Sequence, residues 1–307
     1  MPVRSSVRDR LPAWTASPAL LRRLALASLA GNVLIVVTGG AVRLTNSGLG
    51  CPTWPRCSGA SLVVTSKQGG HGAIEFANRS LTIVLTVLLA ATLLIAWRQR
   101  TEQQLALIGL LGIPAQAVLG GVVVLTDLNP WVVALHFLLS MALIAVTVLL
   151  YLRLLDVRPC LVTPAALWLT RTLLLAAALV LAFGTVVTGT GPHAGDLDNT
   201  GRLHRIGLSP SGAAQLHADA VMVLIGLTVG LIALLYSLGE SAIAACKATV
   251  VLLGVELAQG IIGYTQYFLH VPALLVGFHM FGACLVWVAA LVAAFRIHAR
   301  WARAEGG

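Results

Sequence analysis

The sequence predicts an all-α integral membrane protein: eight transmembrane helices forming two four-helix bundles related by a parallel internal repeat. Three features carry that prediction. Hydrophobic residues make up 58% of the 307-residue chain and charged residues only 10%, with a mean hydropathy of +0.91. Eight apolar stretches are each long enough, at about 20 residues, to cross a hydrocarbon core of about 30 Å. Basic residues gather in alternate linkers, as they do when a chain crosses a membrane repeatedly. No water reaches the backbone in lipid, so apolar spans of this length must pair their own N–H and C=O groups as helices.

The spans fall at about 24–44, 74–97, 104–126, 131–152, 168–190, 214–236, 248–268 and 272–295. The first follows a basic lead and lacks a small-residue cleavage site, so it is expected to be a retained span. The net charge of +9 is a topology signal and not a nucleic-acid footprint. Arg4, Arg8, Arg10, Arg22 and Arg23 precede the first span, Arg98 and Arg100 follow the second, and Arg153 and Arg158 follow the fourth. Lys247 precedes the seventh, and Arg296, Arg300 and Arg303 close the chain. All lie on one side of an eight-span path, which makes that side cytoplasmic and puts both termini there. The expected organisation is a cytoplasmic segment 1–23, bundles 24–158 and 159–296, and a cytoplasmic tail 297–307. Two extracytoplasmic linkers are long, 45–73 and 191–213, and both are rich in Gly, Pro, Ser and Asn, the composition of ordered turns.

The halves resemble each other. The stretch from Gln116 to Phe137 is similar to that from Glu256 to His279. Gly120 then aligns with Gly260 at an offset of 140, His136 with His279 at 143, and Asn78 with His217 at 139.

Polar side chains within a membrane are expensive and mark function. His136, His217 and His279 each lie a short way inside the outer end of a span, about 7–11 Å deep for His136 and His279 at 1.5 Å per residue. Two imidazoles on facing helices at one depth can ligate porphyrin iron from opposite faces, with the apolar shell tuning its potential. A lone histidine there would instead read as a helix–helix hydrogen bond; the repeated placement favours the ligand. In the first half Asn78 stands where the second has His217, and Glu75 shares its helical face at i−3. That asymmetry suggests a fixed redox heme in the second half and a reacting porphyrin in the first. The plainer role for Glu75 is an interfacial ion pair with Arg79.

Cys51 and Cys57 lie in the first long linker on the oxidising side, where either a disulfide or two free thiols is chemically reasonable. Cys160 and Cys246 are expected to be reduced and, with Cys284, inert. Arg43, Arg79, Arg202 and Arg205 are candidates for porphyrin propionates, or simply snorkel to the interface. Asp219 and Glu256 are expected to be buried and to need partners. His71, His193, His204 and His270 read as surface histidines; His71 stands out because it is four residues before Glu75. His298 is cytoplasmic.

The elements GGAVRLTNSGLGCPTWPRC, IEFANR, LGGVVVLTDLNPWVVALHF, QLHADA and VGFH resemble the heme A synthase family of bacteria and mitochondria. The resemblance runs from about Leu24 to Arg296 and looks closest to actinobacterial members. It implies two four-helix bundles, the first holding substrate heme O with His136 as axial ligand, the second holding heme b between His217 and His279. It implies Glu75 as the catalytic carboxylate and a Cys51–Cys57 disulfide. The reaction implied is oxidation of the heme O C8 methyl to a formyl group by two hydroxylations, with water as oxygen source. A heme O synthase and cytochrome oxidase are the expected neighbours, and a homo-oligomer is an open expectation. The chain departs from the family in having Asn78 where many members have His, Ala218 where many have Arg, and no cysteine pair in 191–213. Two rivals remain: a membrane cytochrome b that transfers electrons without modifying its heme, and a transporter or assembly factor without porphyrin.

Overall fold

The computed structural model describes residues 17–157, 159–196 and 204–299. Arg4, Arg8, Arg10, Arg158, Arg300 and Arg303 of the basic pattern lie outside the described residues. Eight long helices follow one another: α1 (Pro18–Leu44), α2 (Gly69–Gln99), α3 (Gln103–Leu125), α4 (Pro130–Leu154), α5 (Pro164–Thr190), α6 (Pro210–Ser237), α7 (Ile243–Phe268) and α8 (Ala273–Phe295). Each is long and apolar enough to cross a membrane, and the chain is a multi-pass membrane protein. Large apolar side chains such as Ile83, Val87, Leu111, Val251 and Ile261 stand exposed on the helix surfaces, where lipid is the natural solvent.

α1, α4, α5 and α6 begin earlier than hydropathy suggests because caps, and not apolarity, set their starts. Ser17, Asn129, Thr163 and Ser209 each precede a proline, and each side chain accepts a backbone N–H of the first turn. α2 is preceded by a 3-10 turn, Ser66–Gln68, where the Gln68 side chain accepts the Thr65 backbone N–H at 2.8 Å. Polar Gly69–Gly72 therefore joins the helix. Glu75 and Asn78 lie well inside it and not at its edge.

Packing follows two rings. α1 packs on α2 and α4, α2 on α3, and α3 on α4; α5 packs on α6 and α8, α6 on α7, and α7 on α8. The rings meet where α8 touches α1 and α4 and where α4 touches α5. Trp287 of α8 donates its indole N–H to the Met141 carbonyl of α4 at 2.9 Å across that seam. Near the long-loop end, Arg43 of α1 reaches the carbonyls of His193, at 2.6 Å, and Thr188, at 3.0 Å. The Gly48 N–H meets the Gly195 carbonyl at 2.7 Å. At the other end, three-residue strands β1 (Cys160–Val162) and β2 (Ile297–Ala299) pair in parallel, joining the linker between the rings to the segment after α8. Such short, distant pairing leaves no signal in hydropathy.

Candidate functional site

His217 lies seven residues beyond the start of α6, His279 six beyond the start of α8, and His136 six beyond the start of α4. These three helices all start at the long-loop end, so the imidazoles lie at one depth, about 9–11 Å along their helices at 1.5 Å per residue. The extra turn before residue 214 brings His217 level with the others.

In the second ring α6 and α8 are diagonal, so their side chains meet across its centre. The ring centroids of His217 and His279 are 6.3 Å apart, with planes at 76°. Two imidazoles on one first-row metal, with metal–nitrogen bonds of about 2 Å, hold their ring centres about 6 Å apart, so the spacing fits an iron between them. Nδ1 of His279 and Nδ1 of His217 are both buried without a hydrogen-bond partner. Both are buried polar atoms that the surrounding protein leaves unpaired.

Each histidine rests in a cradle that a side chain would fill. A Cβ on Gly263 of α7 would lie 3.3 Å from His279 Cε1, one on Gly184 of α5 3.3 Å from His217 Cε1, and one on Gly120 of α3 3.2 Å from His136 Cε1. The backbone behind is fixed in the same way at two sites. Gln259 Nε2 donates to the His279 carbonyl at 2.8 Å, and Gln116 Nε2 to the His136 carbonyl at 3.1 Å. Gln116–Gly120 and Gln259–Gly263 share a QxxxG spacing, and both stand 143 positions from their counterparts, as do His136 and His279. The contacts thus match Gly120 with Gly263, not with Gly260, which has nothing near it, and Gln116 with Gln259, not with Glu256. The QxxxG spacing was the readable signal for the two glutamines.

In the first ring Asn78 Oδ1 accepts from Thr38 Oγ1 of α1 at 2.7 Å, and a Cβ on Gly39 would come within 3.9 Å of Asn78 Nδ2. Glu75, only 5% exposed, is clamped: Oε2 accepts the Cys51 backbone N–H at 2.6 Å, and Oε1 accepts Arg79 at 2.5 Å. Arg79 also donates to the carbonyls of Cys51 and Thr53, at 3.0 and 3.1 Å. The i+4 ion pair exists, therefore, and it ties Glu75 to the loop. That loop is closed by a disulfide, Cys51–Cys57, with both cysteines fully buried. Trp54 between them lies flat on α3: a Cβ on Gly121 would come within 2.5 Å of its ring.

The remaining candidates separate. Arg43 and Arg79 bind backbone carbonyls. Arg205 donates to the Gly191 and Pro192 carbonyls, and Arg202 lies outside the described residues. His71 Nδ1 meets Ser47 Oγ at 3.0 Å, His193 Nε2 meets the Val271 carbonyl, and His204 and His270 are exposed. Asp219 corrects an expectation. It is exposed, and its partner is Gln215 on its own helix, because its position on α6 faces outward. Glu256 is buried as expected, with Thr228 as partner. Cys246 and Cys284 are buried free thiols, and Cys160 is partly buried.

Residues 22–291 match the family described as cytochrome oxidase assembly protein. Three similar proteins are each named heme A synthase. That of Lysinibacillus sphaericus is 31% identical over 42% of this chain and 43% of its own length. That of Geobacillus thermodenitrificans is 34% identical over 41% of this chain and 40% of its own length, and that of Listeria welshimeri 35% over 40% and 42%. The aligned part thus spans about two-fifths of these relatives, whereas the family match spans most of this chain. The chain belongs to the cytochrome oxidase assembly protein family, the family of the heme A synthases it resembles.

Proposed function

We propose that this chain is a heme A synthase, oxidising the C8 methyl of heme O to a formyl group. The observation that carries this reading is the His217–His279 pair, 6.3 Å apart, with a third cradled histidine, His136, at the same depth in the other ring. Among the described residues no three His, Cys, Asp or Glu side chains gather to hold a bare metal ion. Two imidazoles alone suit an iron whose other ligands come from a macrocycle.

His217 and His279 would hold heme b, which supplies one-electron chemistry. His136 would hold the iron of heme O from one face. Asn78, with its amide oxygen taken by Thr38, offers no imidazole on the opposite side. Conversion of methyl to formyl takes one water and releases four protons and four electrons, through the alcohol and the gem-diol. Glu75, presented by the Cys51 N–H and Arg79, has acceptor sites left on both oxygens and would stabilise positive charge developing at the methyl carbon or take up its protons. The basic linkers support a topology with both termini in the cytoplasm and the histidine sites toward the outer leaflet of the cell membrane. A heme O synthase would supply the substrate and cytochrome oxidase would receive the product.

Extraction and mass spectrometry of the bound pigments test this. His217→Ala should lose heme b and keep the substrate-site porphyrin; His136→Ala should do the reverse. Unchanged pigment content in both variants would exclude the histidine sites. The Glu75–Arg79 ion pair keeps a second reading open, a cytochrome b that transfers electrons only. That protein would yield heme b alone, never heme O, the alcohol or heme A.

A further inference from the structure

One buried carboxyl takes no part in the histidine cradles. Glu256, near the middle of α7, is 2% exposed. Its Oε1 accepts from Thr228 Oγ1 of α6 at 2.9 Å, while its Oε2 is buried without a hydrogen-bond partner. Gln259, one turn nearer the long-loop end, is in a similar state: Nε2 is bound to the His279 carbonyl, and the buried Oε1 has no donor. At i and i+3 the two side chains share one face of the helix. Two neighbouring buried acceptors without a donor form a polar site that a proton or a water completes.

The same face continues outward through Gly263, against His279, to Gln266, whose Oε1 is again buried without a partner. α7 therefore carries a polar stripe from mid-helix, past His279, towards the long loops. At 143 positions earlier, α3 has Ile113, Gln116, Gly120 and Val123. The glutamine and the glycine cradle are kept there, but both polar ends are gone. A histidine cradle thus does not need Glu256.

The elements packed on α7 are α6, α8 and the 3-10 turn Gly239–Ala242. Their titratable groups are His217, Asp219 and Tyr236 on α6, His279 and Cys284 on α8, and Glu240 on the turn. Among the described residues none of these makes a hydrogen bond or ion pair with Glu256. On α7 itself Cys246 and Lys247 lie near one end and Tyr264 and Tyr267 near the other.

We infer that Glu256 is the proton-binding group linked to oxidation and reduction of the His217–His279 site, an assignment that rests on reading those histidines as iron ligands. When the site gains one electron, from the substrate or from a chemical reductant, Glu256 binds one proton at Oε2, drawn from water along the α7 stripe. When a one-electron oxidant, such as ferricyanide in a titration, takes the electron, the proton returns to water. The linkage is electrostatic: charge added in a weakly screened interior changes the proton affinity of a carboxyl nearby.

The test is a redox titration of the purified full-length protein with its bound pigment, followed in the Soret band at a series of pH values. In the wild type the midpoint should fall with rising pH across one window. In Glu256→Gln it should stay level there, at unchanged pigment content. Equal slopes in the two proteins, flat ones included, would overturn the assignment. Should Glu256→Gln fail to fold, Thr228→Val keeps the acid and removes its donor, and it should displace the window along the pH axis; an unmoved window overturns the assignment. His217→Ala separates the two levels. Equal slopes together with loss of one pigment in that variant remove Glu256 only. Full pigment content in His217→Ala removes the histidine reading and this assignment with it.

Discussion

Glu75 is held on two sides, by a cation one helical turn away on its own helix and by a backbone N–H from a loop. The first contact was legible, because i and i+4 adjoin on any helix. The second was not, since Cys51 reaches Glu75 only when the loop folds back on α2. A glutamine oxygen can accept the same Cys51 N–H, while its amide NH2 replaces the oxygen that accepts from Arg79. Glu75→Gln is expected to retain both pigments and to slow product formation about 100-fold or more, the effect of losing one preorganised electrostatic group. Product analysis in membranes checks it, and wild-type turnover would remove Glu75 from the mechanism. Asp219 and Glu256 show the limit of reading single residues: both are acids within apolar spans, yet one faces outward and the other is buried. Hydropathy reports depth, not rotation about the helix axis.

Among the elements, the loop between α1 and α2 does most to shape the first site. Its disulfide closes a short ring, its Trp54 lies on Gly121 of α3, and its Cys51 backbone binds Glu75 and Arg79. A disulfide closing a loop of this size contributes about 2 kcal/mol in the chain-entropy model. Cys57→Ser should therefore lower the thermal midpoint. It should also reduce product formation, because Cys51 is no longer anchored, while the pigment between His217 and His279 is retained. Loss of that pigment instead would mean that the loop supports the whole fold. The helices themselves were readable from apolar length, but the starts of α1, α4, α5 and α6 were set by Ser17, Asn129, Thr163 and Ser209 before proline, a signal of capping chemistry that hydropathy does not count.

On the scale of the whole molecule, polar contacts among the described residues that join the two halves include the Trp287 indole on the Met141 carbonyl, Arg43 on the carbonyls of His193 and Thr188, and the Gly48 N–H on the Gly195 carbonyl. Trp287→Phe removes one such bond, about 0.5–1.5 kcal/mol net. Thermal unfolding in detergent should shift down slightly with unchanged pigment content; an altered Soret band would show that this seam also shapes a pigment site. The sequence by itself determined eight membrane-spanning helices and three histidines near the outer ends of their spans, because apolar length and residue spacing are properties of contiguous chain. Only the tertiary structure decided that His217 meets His279, that Gly263 and not Gly260 cradles it, and that Glu75 is held by Cys51. Those contacts depend on which faces neighbouring helices present to each other, and that is set by packing among segments far apart in the chain.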